Sequence, residues 1–139
     1  MYNIATEASF DAAHFLKNYK GKCSNIHGHR WRVVIGTTAE SLQDTVHLEG
    51  MVTDFKDLKS DLNEVVDALD HTLIYEKGSL SEELEKLLKQ EGFELSAMEF
   101  RPTAENFSKY FYELMKERGH NVTSAVVYET PTNYASYSE

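Results

Sequence analysis

The amino-acid sequence predicts an α+β domain, a mostly antiparallel sheet with helices packed on one face. Three observations predict it. Residues 2–14 and 27–39 alternate apolar and polar positions with a period of two, as half-buried strands do. Residues 55–69 and 80–91, and the stretch that Thr103 opens, repeat their apolar side chains at helical spacing. The order is two strands, then helices, then a strand at 122–129, so the helices are segregated in sequence as α+β folds require.

In the first strand Ile4, Ala8, Phe10, Ala12 and His14 share one face. A lysine-rich loop, residues 15–26, leads to the second strand, where His27, His29, Trp31, Val33 and Ile35 share a face. Residues 44–53 (Val46, Leu48, Met51, Val52) are expected to extend the strand structure. Asp54 is the expected N-cap of the first helix, with Phe55, Leu58, Leu62, Val65, Val66 and Leu69 following at helical spacing. The second helix carries Leu80, Leu84, Leu87 and Leu88 and closes at Gly92, and Phe93 to Phe100 is expected as a strand. Thr103 caps the third helix, whose apolar face is Phe107, Tyr110, Phe111, Leu114 and Met115, and Gly119 ends it. Val122 to Glu129 is the last strand, stopped by Pro131, and residues 132–139 read as a polar tail with two tyrosines.

The chain has 139 residues, 41% hydrophobic and 27% charged, the balance of one soluble globular domain with a core of its own. No apolar run approaches the ~18 residues of a membrane span. The N-terminus lacks the basic and apolar regions of a secretory signal, so a cytoplasmic protein is expected. A single cysteine forms no internal disulfide, which leaves Cys23 as a free thiol. The net charge of −9 argues against nucleic acid as a partner. Between Ala12 and Ala39 there is no acidic residue, while Lys17, Lys20, Lys22, Arg30 and Arg32 are all present. This basic island is either a steering field for an anionic ligand or a solvated loop, since Arg30 and Arg32 point away from the histidine face.

His27-Gly28-His29 sets two imidazoles side by side on one strand face, and an antiparallel partner would bring His14 to meet them. Three neutral imidazoles suit Zn(II) and leave its fourth tetrahedral position open, as catalytic zinc requires. In a competing arrangement Cys23 is the fourth ligand and the zinc is structural. Asp70-His71, at the end of the first helix, offers an acid–base pair for a thiol, although side chains of adjacent residues are not expected to bond each other. Glu129, at the end of an apolar strand, is either exposed or aimed into a pocket. His47 and His120 are read as surface residues.

Taken together, His14, Cys23 with His27-Gly28-His29, Gly50-Met51-Val52-Thr53-Asp54-Phe55, Leu69-Asp70-His71, Pro102-Thr103-Ala104-Glu105-Asn106 and Glu129-Thr130 resemble the 6-pyruvoyl-tetrahydropterin synthase superfamily. The three residues between Cys23 and His27 look like its bacterial branch that forms 6-carboxy-5,6,7,8-tetrahydropterin for queuosine biosynthesis. The resemblance implies the T-fold, or tunnelling fold, and assembly as a homohexamer with sites between subunits. It implies Zn(II) on His14, His27 and His29, Cys23 as general base, and Asp70 with His71 as its relay. It implies Glu129, with Thr130 and Glu105, as holders of a pterin triphosphate substrate. Residues 72–100 depart from the family pattern, with about a helix's worth of extra chain before Pro102. Two other activities stay open: the pyruvoyl-forming synthase, and a zinc-stabilised binding protein without turnover.

Overall fold

The computed structural model describes residues 1–139. The chain runs β1 (Tyr2–His14), a short 3-10 turn at Lys22–Ser24, β2 (His27–Ala39) and α1 (Phe55–Asp67). It continues through β3 (Leu73–Glu76), α2 (Glu82–Gln90), β4 (Leu95–Met98), α3 (Ala104–Glu117), β5 (Val122–Thr130) and β6 (Asn133–Ser138). All six strands join one sheet in the order β4-β3-β1-β2-β5-β6. Its β1-β2-β5-β6 part is antiparallel, and β3 and β4 are added in parallel.

Alternation along β1, β2 and β5 decides what is buried. Phe10, Trp31, Val33, Ile35, Ala125 and Val127 share one face and meet α1 and α3 there. Leu58, Leu62, Val65 and Val66 of α1 and Phe107, Phe111 and Met115 of α3 complete this core. Phe10 stacks on Trp31 with centroids 6.1 Å apart, and Phe107 meets the Trp31 ring edge-on at 5.1 Å. Aromatic pairs in such arrangements each add roughly 0.5–1.5 kcal/mol beyond their buried area. Side-chain caps start each helix: Asp54 accepts from the Lys56 N–H, Ser81 from Leu84 and Thr103 from Asn106. Gly119, at φ 93°, lets the chain turn out of α3 in the left-handed region that other residues avoid.

The other sheet face carries Glu7, Asp11, Arg30 and Arg32, paired as Arg30–Asp11 at 3.0 Å and Arg32–Glu7 at 3.2 Å. Both arginines do face away from the histidines, and acidic partners on β1 match them, so the lysines alone remain of the basic island. Segment 72–100 holds β3, α2 and β4. Tyr75 points away from its core neighbour Ile74, yet it is buried, with Glu85 of α2 beside its hydroxyl. That places α2 over the β3 end of the face opposite α1 and α3. No residue of α2 itself is buried.

Three further expectations fail, besides the single helix-bearing face that α2 leaves. Residues 44–53 form turns rather than a strand, with Val46 wholly exposed, so their apolar residues have no sheet to join. The tail is not free, because Asn133–Ser138 pairs with β5 as an edge strand. His120 is not a surface residue: its Nε2 lies 2.7 Å from Asp61 Oδ2, which ties the turn after α3 to α1. No helix is long and apolar enough to cross a membrane.

Candidate metal centre

Strand register builds the site. His14 and His27 are direct partners in the β1–β2 ladder, and His29 follows two residues on, on the same face. The three rings converge, with centroids 4.5 Å (His14–His27), 4.8 Å (His27–His29) and 5.1 Å (His14–His29) apart. Trp31 forms their floor, edge-on to His14 at 4.9 Å and to His29 at 5.6 Å.

Backbone carbonyls set the tautomers. His14 Nδ1 donates to the Pro102 carbonyl at 2.8 Å, and His27 Nδ1 donates to that of Asn25 at 2.7 Å. In each neutral ring the proton is therefore on Nδ1, and Nε2 presents a lone pair. Those two Nε2 atoms face each other 3.0 Å apart, with no proton of their own to share. His29 Nε2 is buried without a hydrogen-bond partner. It lies 3.1 Å from Glu129 Oε1, close enough for an ion pair but without hydrogen-bond alignment. Lone pairs this close repel unless a cation lies between them. The donor atoms of His14, His27, His29 and Glu129 all lie within 4.8 Å of one another. Tetrahedral zinc with ~2.0 Å bonds needs donors about 3.3 Å apart, so this set fits a metal ion.

Electrostatics keeps the ligands ready. Burial lowers the pKa of His14 to about 4, against the raising effect of the Pro102 carbonyl, and the neighbouring His27 and His29 lower it further. Burial likewise lowers that of His29, opposed by the Glu129 charge. Both rings are thus neutral near pH 7, the form that binds metal.

The remaining site residues are more dispersed. Cys23 sits half-buried in the 3-10 turn, and its carbonyl accepts from the Leu16 N–H at 2.8 Å. The thiol is not among the four clustered donors. Glu129 takes the place beside the histidines that the structural-zinc arrangement gave to Cys23. A carboxylate thus stands where the sequence offered either an open position or Cys23.

Asp70 and His71 do bond each other, contrary to expectation, with His71 Nδ1 2.8 Å from Asp70 Oδ2. A left-handed backbone at His71, φ 59°, turns the ring back onto its neighbour. Asp70 also accepts from the Asp11 N–H at 2.8 Å; this bond, then that from His71, lowers its pKa. The carboxylate in turn raises that of His71. No hydrogen bond joins this pair to Cys23 within the protomer. His71 instead borders a cleft of about 640 Å³, walled by Ile26, Leu88, Phe93 and Leu95. Glu105 is exposed in the first turn of α3, and the Thr130 hydroxyl accepts from the Asn133 N–H in the β5–β6 turn.

The Pro102 carbonyl and the Glu129–His29 contact escaped the sequence reading. The first is main chain and carries no residue signature. For the second, Glu129 shares the parity of Ala125 and Val127, which already set it on the histidine face.

Across known proteins, the family model described as 6-pyruvoyl tetrahydropterin synthase matches residues 3–139. The chain belongs to the 6-pyruvoyl tetrahydropterin synthase family. Among its relatives is the 6-carboxy-5,6,7,8-tetrahydropterin synthase of Haemophilus influenzae, 33% identical with all of both chains covered. The Synechocystis protein of the same name is also 33% identical, covering 99% of this chain and 93% of that one. Among solved structures, the 6-pyruvoyl tetrahydropterin synthase of Caenorhabditis elegans superposes with a TM-score of 0.70 at 25% identity, over 99% of this chain and 95% of that one. An uncharacterized Wolinella succinogenes protein superposes at 0.80 with 22% identity, over 99% and 98%. The α+β arrangement of sheet and helices is thus the T-fold of this synthase family.

Proposed function

We propose that the protein is a zinc-dependent lyase. It would convert 7,8-dihydroneopterin triphosphate and water to 6-carboxy-5,6,7,8-tetrahydropterin, acetaldehyde and triphosphate, a cytoplasmic step of queuosine biosynthesis. The observation that carries the metal chemistry is the convergence of three imidazole rings, two of which have their tautomers set by backbone carbonyls. The carboxy-forming branch is supported by the three-residue spacing of Cys23 and His27, and by relatives of that name aligned end to end. Bound to the substrate hydroxyls, Zn(II) would supply Lewis acidity that eases removal of a carbon-bound proton.

The chain's own residues would do the rest. The Cys23 thiolate takes the proton. Asp70 holds the Nδ1–H of His71, which leaves His71 Nε2 free to exchange a proton with the thiol. With no hydrogen bond between Cys23 and His71 in one protomer, the relay is completed by a neighbouring subunit of the hexamer. Glu129 anchors the pterin through its 2-amino and N3–H donors, and Thr130 and Glu105 stand at the same end of the substrate. Lys17, Lys20 and Lys22, in the loop between β1 and β2, receive the triphosphate. Their joint replacement by alanine should raise KM, and an unchanged KM would remove them from the reading.

The testing experiment is mass spectrometry of the pterin formed by zinc-loaded protein from 7,8-dihydroneopterin triphosphate. A 6-carboxy product with acetaldehyde supports the reading. The structural likeness to the C. elegans enzyme favours a second one, the pyruvoyl-forming reaction with the same metal and base, and a 6-pyruvoyl product would select it. No turnover with zinc bound would leave a zinc-stabilised binding protein.

A further inference from the structure

The carboxylate of Glu129 has two claims on it. On β5 it lies just beyond the last β2–β5 pair, Arg32–Tyr128, and on the same face as Val127. A side chain there reaches diagonally to His29 on the adjacent strand. Its Oε1 is 3.1 Å from His29 Nε2, while His14 Nε2 and His27 Nε2 are 3.0 Å apart. These are two opposite edges of one four-donor cluster, both near the spacing of tetrahedral ligands. An anion this close to an imidazole nitrogen, without the alignment of a hydrogen bond, is placed as a ligand would be.

We propose that Glu129 is the fourth metal ligand of the substrate-free protein and leaves the metal when a pterin binds. The inference rests on the functional reading above for its second half only. Three imidazoles and a carboxylate saturate a four-coordinate ion, so the resting metal is closed to water and to stray anions. The 2-amino and N3–H donors of a pterin then compete for the same carboxylate. The position Glu129 vacates is the one the substrate hydroxyls need. The metal becomes reactive only when the ring that carries those hydroxyls is in place.

The test uses Co(II) in place of zinc, because its visible spectrum reports the ligand set. Spectra of the native protein and of Glu129→Ala are compared without and with saturating 7,8-dihydroneopterin, which lacks the triphosphate leaving group. The two should differ without pterin and coincide with it. Azide should bind the Co(II) of Glu129→Ala and leave the native site unchanged. Zinc affinity should fall at least about tenfold in both Glu129→Ala and Glu129→Gln, since loss of a group merely bonded to a ligand already costs that much. Half-buried Glu129 supports no core packing, and circular dichroism of the variants confirms their fold.

Equal spectra, equal azide binding or equal zinc affinity without pterin would overturn the ligand role. Spectra that still differ at saturating pterin would overturn the release. If the product assay succeeds while these comparisons fail, the lyase reading stands and the carboxylate switch falls. If no product forms while Glu129→Ala opens the metal, the ligand stands and the lyase reading falls.

Discussion

His14 loses its hydration on folding, and the ring's pKa drops from 6.5 to about 4. The unfolded chain takes up a proton near pH 6.5 and the folded chain only near pH 4, so the unfolded state binds more protons between them. Stability from this group is therefore full above pH 6.5 and is lost as the pH falls to about 4. The span corresponds to on the order of 3 kcal/mol. Urea titrations of metal-free protein should follow that slope, and His14→Gln should flatten it. At the metal, His27→Ala should abolish stoichiometric zinc by elemental analysis, and zinc retained in that variant would overturn the ligand assignment. Cys23→Ala should abolish turnover and keep its zinc, because its thiol lies outside the donor cluster. The histidine triad was legible at this scale, since strand parity alone places His14, His27 and His29 on one face. The Asp70–His71 contact was not, because the positive φ that folds the ring back is set by the backbone path between α1 and β3. His120 was misread for a similar reason: its partner, Asp61, is 59 residues away.

Among the elements, α3 serves the site through its first turn. Thr103 caps the helix and thereby fixes the peptide of Pro102, whose carbonyl orients His14. Thr103→Ala should cost about 1 kcal/mol by urea denaturation. It should also weaken zinc binding, whereas Ser81→Ala, which removes the cap of the peripheral α2, should leave zinc affinity unchanged. The long elements were read with ends displaced by a residue or two, because each buries a continuous periodic face. Of the short strands, β4 falls inside the expected stretch 93–100, and the other two were missed for opposite reasons. In β3 both Ile74 and Tyr75 are buried, the first by the core and the second near α2, so the alternation that marks a strand is absent. In β6 the alternation is present, but among serines and tyrosines at a sheet edge, where a polar sequence imitates a tail. Residues 44–53 have strand-like side chains and no partner strand, and propensity without pairing yields turns.

For the molecule as a whole, the proposed relay joins groups that share no hydrogen bond within one protomer. Mixing inactive Cys23→Ala and His71→Ala chains and allowing them to assemble should restore activity. If each site takes its thiol from one subunit and its imidazole from another, an equal random mixture regains about a quarter of the native sites. A mixture that stays inactive although mass measurement finds mixed oligomers would place both groups in a single chain. Family and fold class were legible at this scale, since ordered motifs from His14 to Glu129 constrain one another. The position of α2 on the face opposite the other helices was not, because an amphipathic pattern names the side a helix buries and not the side of the sheet it joins.

The pairing of His14 with His27 closes the loop between them at a fixed gap. Residues 15–26 leave and re-enter the sheet through one locked doorway, and the loop group bonded to the histidine cluster is the Asn25 carbonyl, next to the point of re-entry. Doubling the length of such a loop costs only about 0.6 kcal/mol. The turn that carries Cys23 is thus an exchangeable cartridge on a permanent socket. The loop can be lengthened, shortened or recharged while the three histidines keep their places on the paired strands.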